Sequence, residues 1–171
     1  MANTGKYLSL TAGVIQEELA LQVSAGAGDA GKIIRLDSAG LLPVTMLPSG
    51  VGAEAISVVT SEIIAAGAYV NLWNSTGLKA RNADASVAGK DAVGFCLVGG
   101  AAAATVTVYL ASQANNATSG RTVGARQFLS TTPGASQETA PAATGNVVQQ
   151  LGFAVSATNV LFNPLAPITV A

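Results

Sequence analysis

Beyond about residue 53, apolar and polar residues alternate with a period of two in short runs, and helical spacing is almost absent. The plainest case is "TVTVYLA" (105–111), where Val106 and Val108 alternate with Thr105 and Thr107. The runs "ISVVT", "AYVNLW", "LKARNA", "AVGFCLV", "QFLST", "VVQQLGFAVS" and "NVLFN" are separated by clusters of Gly, Asn, Pro and Ser. Short runs between such clusters read as strands joined by turns. The stretch "AYVNLWNSTGLKARNA" is the clearest hairpin, with Asn74-Ser75-Thr76-Gly77 as its turn and Val70 and Leu72 alternating against Asn71 and Trp73. Two longer segments look like one hairpin type used twice, each with a Gly-Phe pair, Gly94-Phe95 and Gly152-Phe153, ahead of an Ala-containing turn. The expectation is an all-β protein: a small antiparallel β-barrel or sandwich over 53–171, preceded by an extended N-terminal arm or collar over 1–52.

The first 52 residues follow a different pattern. Their apolar pieces are short and cut by Gly, Pro and Asp, too little to bury a core alone. Such a segment has to be ordered against the main domain, a neighbouring subunit or a partner. Only "VIQEELAL" (14–21) has a helical argument, and Leu19, Leu21 and Val23 continue it in strand rhythm. Within this region Gly26, Gly28, Gly31 and Lys32 fall in a G-x-G-x-x-G frame and in most of a Walker frame. A phosphate loop needs a helix after it, and a Walker loop needs a Ser or Thr for magnesium. Here Lys32-Ile33-Ile34-Arg35-Leu36 reads as a strand and Ile33 holds the hydroxyl's place, so the glycines are read as a connector.

Composition narrows the function. Half of the 171 residues are hydrophobic, yet 5% are aromatic and 10% charged, with a net charge of -1. A surface so poor in charge protects weakly against self-association, which points to oligomerisation. The eight basic residues are scattered without interleaved aromatics, so nucleic acid is not an expected partner. The chain has no histidine, the commonest general base and metal ligand, and no cofactor, metal or catalytic residue is assigned. Cys96, between Phe95 and Leu97, reads as a buried free thiol. The uncharged stretch 92–120 has the hydropathy of a membrane span, but Gly99-Gly100 and the Thr/Val alternation make it a hairpin, and no membrane association is expected. The opening "MANTGKYLSL" does not read as an export leader, so Asn74-Ser75-Thr76 and Asn116-Ala117-Thr118 are taken as turns rather than glycosylation sites.

The segment "GKIIRLDSAGLLPVTMLPSGVGAEA" carries a resemblance. Gly31-Lys32, an alternating strand, Leu36-Asp37, Gly40, then Leu47-Pro48 with Gly50 and Gly52, resembles a module of small structural proteins of tailed bacteriophages. Downstream, "KARNADASVAGKDAVGFCLV" and "FLSTTPGASQETAPAATGNVVQQLGFAVSAT" are similar to the β-domain that follows it in capsid decoration, or cement, proteins and in the bases of head fibres. The resemblance implies a structural virion protein with no enzymatic activity. It implies a homotrimer, made in the host cytoplasm and seated on the major capsid protein at three-fold and quasi-three-fold positions of the outer capsid surface. On the residues themselves, Asp37 with Gly40 is a turn, and Pro43 and Pro48 keep "VTML" extended. Two other classes remain open: a head or tail fibre or receptor-binding component, and a glycan hydrolase using two carboxylates from Asp84, Asp91, Glu54, Glu62 and Glu138.

Overall fold

The computed structural model describes residues 5–22, 27–36, 38, 40–42, 46 and 54–171. The readings placed on Val23, Gly26, Asp37, Pro43, Leu47, Pro48, Gly50 and Gly52 lie outside the described residues. The chain divides into two compact units, Met1–Gly52 and Ala53–Ala171, and the fold is all-β, with a closed five-stranded barrel and several further sheets.

In the first unit, strands β1 (Lys6–Thr11) and β2 (Val14–Leu19) form an antiparallel hairpin. Ala12 and Gly13 connect them with φ of 52° and 81°, both left-handed, the twist that lets a two-residue turn join strands without splaying them. The helical argument for residues 14–21 therefore gives way to strand rhythm. A short 3-10 turn, Ala27–Asp29, follows. The strand expected at Lys32–Leu36 shrinks to one parallel bridge, Leu21 to Ile34, in which Leu21 N donates to Ile33 O (2.9 Å) and Arg35 N to Leu21 O (2.9 Å).

In the second unit, β3 (Ala55–Thr60), β4 (Tyr69–Asn74), β5 (Leu78–Asn82), β6 (Gly94–Phe95) and β7 (Thr105–Tyr109) close the barrel in the order β3-β5-β4-β6-β7. The sequence pattern pointed to antiparallel strands, and four of the five pairings are so, but β3 and β5 run parallel. An odd number of strands cannot alternate direction around a closed ring, so one neighbouring pair has to be parallel. The interior is narrow and takes small and β-branched side chains: Val58, Val70, Ala80, Cys96, Val106 and Val108 fill it. This is where the Ala- and Val-rich composition is used. The alternation read in β7 holds, with Val106 and Val108 buried and Thr105 and Thr107 exposed.

The hairpin β4–β5 forms in the expected register, Asn74 opposite Leu78. Thr76 and Gly77 carry the left-handed φ values of the turn, and Gly77 N donates to Asn74 Oδ1 (3.1 Å). Its alternation is less clean than the sequence implies, because Asn71 is buried. The Asn71 amide is satisfied on both sides: Nδ2 donates to Asp91 O (2.8 Å) and Oδ1 accepts from Arg81 Nε (2.9 Å). The Arg81 guanidinium in turn lies 4.6 Å from the Trp73 ring centroid.

A second, antiparallel sheet is ordered β10-β9-β12-β13-β8. Its strands are β8 (Gln113–Asn115), β9 (Arg126–Leu129), β10 (Ser136–Gln137), β12 (Gln150–Ser156) and β13 (Asn159–Phe162). A short ribbon pairs β11 (Val147–Val148) with β14 (Ile168–Thr169). Aromatic packing joins sheet to barrel: Phe95 stacks on Tyr109 (5.6 Å between centroids) and meets Phe162 edge-on (5.6 Å), while Tyr69 packs on Phe162 (5.7 Å). Leu129, Leu151, Ala83, Ala85 and Ala92 complete this second core. Gln149 adds a polar clasp, accepting from Ala92 N (2.7 Å) and donating to Ala92 O (2.9 Å) as a strand backbone would.

The two Gly-Phe pairs turn out alike in one half only. A Cβ on Gly94 would lie 2.6 Å from Tyr109 O, and one on Gly152 would run into Leu161 O, so each glycine allows a neighbouring strand to approach. The phenylalanines differ: Phe95 is fully buried, whereas Phe153 is 43% exposed. Gly152 lies at φ 139° beside an irregularity in the β12–β9 register. An extra residue in a strand turns the side chains beyond it to the other face, and the second segment is not a copy of the first hairpin.

Candidate functional site

The residues with the chemistry of a site are mostly engaged in holding turns. Lys32, the one cation of the glycine frame, forms an ion pair with Asp29 (2.9 Å), and that hydrogen bond raises its pKa. Ala27–Asp29 is a single 3-10 turn rather than the start of a longer helix. Neither feature is the open anion cradle that a phosphate loop presents. The Cys96 thiol is fully buried in the barrel, and burial pushes its pKa up to about 11. At neutral pH such a thiol is protonated and behaves as a small hydrophobe.

The five candidate carboxylates are dispersed over different local structures. Asp84 Oδ1 accepts from Ser86 N (2.8 Å) and Ser86 Oγ (2.6 Å), closing a turn. Glu62 Oε1 accepts from Asn82 N (2.7 Å) and Nδ2 (2.9 Å), tying the segment after β3 to the end of β5. Glu138 Oε1 accepts from Thr122 N (2.7 Å) and Gln127 Nε2 (3.4 Å), and the Thr122 bond holds its carboxyl below the usual value. Glu54 and Asp91 contribute backbone carbonyls, to Leu110 N and Asn71 Nδ2. No two of these acids share a hydrogen-bond partner, and a hydrolase needs two that flank one bond. Among the described residues no group of three His, Cys, Asp or Glu side chains is placed to hold a metal ion. Among them, too, no helix is long and apolar enough to cross a membrane, and the uncharged stretch 92–120 contains β6, β7 and β8.

Many of the exposed side chains of the first unit are apolar. The register of β1 and β2 places Leu8 opposite Glu17, Leu10 opposite Ile15 and Lys6 opposite Leu19, all on one face. Leu8, Leu10 and Ile15 are each at least 70% exposed and Leu19 is 59% exposed, with the Lys6–Glu17 pair (2.9 Å) among them. On the opposite face Glu18 accepts from Tyr7 Oη (3.2 Å) and Ser9 Oγ (2.7 Å), and Val14, also on that face, is 64% exposed. Ile33, Ile34, Leu36, Leu41 and Leu42 are exposed as well. Every buried hydrophobic side chain among the described residues belongs to the second unit. Leu8, Leu10, Ile15 and Leu19 thus form a patch on one hairpin face rather than singly scattered surface residues.

No protein-family model, curated protein or solved structure matches the chain.

The second unit carries a cleft of about 260 Å³, bounded by residues 65–69 ahead of and within β4, by the 117–121 loop and by the 133–136 turn. Tyr69 N donates to Gly134 O (2.9 Å) and Asn115 Nδ2 to Gly67 O (2.9 Å), fixing the base of the walls. Sequence reasoning did not find this cleft, because its polar residues, Tyr69, Asn82, Thr118, Ser119, Arg121 and Ser136, come from separate turns and strands with no common spacing.

Proposed function

We propose that the protein is a homotrimeric capsid decoration protein of a tailed bacteriophage, attached to the major capsid protein at three-fold and quasi-three-fold positions on the outer surface. The observation that carries the reading is the apolar face of the β1–β2 hairpin, in a unit that buries no hydrophobic side chain among its described residues. A face of this kind is unfavourable in water and favourable against its own copies, and closed three-fold symmetry covers it with identical contacts. The poverty of charge supports an interface held by apolar burial rather than by ion pairs. The carboxylates, engaged in turn-holding bonds, support a structural rather than a hydrolytic role. The sequence resemblance supplies the capsid as partner, and the barrel and sheet of the second unit are compatible with it.

A protein that binds only the closed shell stabilises the shell by mass action. Particles stripped of it should remain closed and release DNA at a lower temperature, and adding it back should restore the midpoint. An apolar contact is screened little by salt, so the restoration should persist in concentrated salt. Equal release temperatures for stripped and decorated particles, with host attachment alone changed, would overturn the cement role in favour of a fibre or receptor-binding component.

A further inference from the structure

The β10-β9-β12-β13-β8 sheet packs one face on the aromatic core through Leu129, Leu151 and Phe162. Successive side chains of a strand alternate between faces, so the residues of the other face follow from the register. Arg126 stands opposite Phe153, Phe153 opposite Leu161 and Leu161 opposite Ala114, one row across four strands. Phe128 and Val155, two residues beyond Arg126 and Phe153, extend the row. Phe153 is 43% and Val155 50% exposed, Arg126 and Ala114 are exposed, and Phe128 and Leu161 are half-buried. An antiparallel sheet with one solvated face reads apolar inward and polar outward. Here Phe128 adjoins Leu129 and Leu161 adjoins Phe162, apolar on both faces, which is the pattern of a sheet covered on both sides.

The charge on this outer face narrows what can cover it. The five strands contain one charged residue, Arg126, and no Asp, Glu or Lys. Among the described residues its guanidinium has no ion-pair or ring partner, and Glu138, just past β10, directs Oε1 to Thr122 N and Gln127. Aromatic side chains with an arginine, and without Lys, Asp or Glu, are the composition of the centre of a protein interface. A second copy of the same face would bring no acid to Arg126, and a guanidinium covered without a counter-charge is costly. A different surface, apolar and carrying a carboxylate, satisfies both the row and the cation.

We propose that this sheet face is where the protein seats on the capsid shell, against an apolar patch of the major capsid protein that brings a carboxylate to Arg126. The partner's identity rests on the decoration reading, while the chemistry asked of it comes from the face itself. Four strands ~4.8 Å apart make a row about 14 Å across, less than a standard interface needs alone. A trimer presents three such faces at once, so attachment gains from assembly without any new contact.

The test is co-sedimentation of the full chain with particles stripped of it, over a concentration series, for the parent, Phe153→Ser and Arg126→Glu. Both side chains are at the surface, so each variant should keep the parent's melting temperature and its mass in solution. Phe153→Ser should weaken attachment about three- to tenfold per chain, the loss of covering the exposed part of the ring, and concentrated salt should leave that loss in place. Arg126→Glu should weaken it about tenfold or more, with the loss shrinking as salt rises, because it sets like charges against each other. Thr107→Lys, on the exposed face of β7 in the barrel, should attach as the parent does. If the parent attaches and both sheet variants attach equally well, the inference falls and the decoration reading stands. A parent that does not attach to stripped particles overturns both. A fall in solution mass for either sheet variant would make the face a contact between copies, and a loss in Thr107→Lys equal to theirs would make the effect one of general surface change; each overturns the proposal.

Discussion

Leu10→Lys separates an assembled protein from a solitary one. Leu10 pairs with Ile15 at the turn end of the hairpin face and is 71% exposed in the single chain. Fully burying such a side chain is worth about 1.5–3 kcal/mol, so covering the exposed part contributes about 1–2 kcal/mol per protomer. Three-fold closure repeats the contact in each subunit, and the substitution removes about 3–6 kcal/mol from the trimer, a factor of about a hundred to ten thousand in its assembly constant. The figure is a lower bound, because the variant also brings a charge to the covered face. In a chain that stays alone the same change faces water and costs within about 0.5 kcal/mol. Sedimentation velocity over a dilution series reads the difference directly. The parent should hold three times the 16.9 kDa chain mass to high dilution, and Leu10→Lys should fall to one chain at concentrations where the parent is still assembled, with an unchanged circular dichroism spectrum. Identical mass profiles for the two proteins would refute the reasoning, as would a parent that is monomeric throughout.

Other consequences concern the second unit. Phe95→Ala should cost about 3–5 kcal/mol in chemical unfolding, toward the upper end because the ring meets Tyr109, Phe162 and Tyr69 at once; a loss below about 1 kcal/mol would mean that barrel and sheet are not joined through this ring. Cys96 should resist alkylation at neutral pH in the native protein and react once unfolded, since its pKa is raised by burial to about 11; rapid native labelling would contradict the closed barrel interior. Glu138 has a folded-state pKa below its ordinary 4.5, so its contribution is present above that value and fades as pH falls through the lowered one. In melting curves across that acid range Glu138→Gln should flatten the slope of stability against pH, and a slope equal to the parent's would rule the bond out as a contributor.

How far the sequence revealed this depends on whether the information was local. The β4–β5 hairpin was legible because its turn residues and its alternation lie within one short window, and so was the Val/Thr alternation of β7. The parallel pairing of Val59 with Lys79 was not, since barrel closure depends on strand count around the ring rather than on any segment's pattern. Lys32–Leu36 has the composition of a strand, yet the described chain offers it one bridge to Leu21. Phe95 and Phe153 share a Gly-Phe motif and face opposite environments because a register irregularity beside Gly152 is invisible in the residues. For the candidate surfaces, the short apolar pieces of residues 1–52 foretold an uncovered face, but not that Leu8, Leu10, Ile15 and Leu19 would share it. The cleft left no sequence signal, because Tyr69, Thr118 and Arg121 are joined only by the fold.

The most direct measurement is a pair of particle reconstructions, one from phage carrying the protein and one from phage lacking it. The account predicts trimeric density on the outer shell at three-fold and quasi-three-fold positions, present in the first and absent from the second, with the β1–β2 hairpins of three chains covering one another's apolar faces. Difference density confined to a tail or fibre, or single chains scattered without three-fold contact, would contradict it.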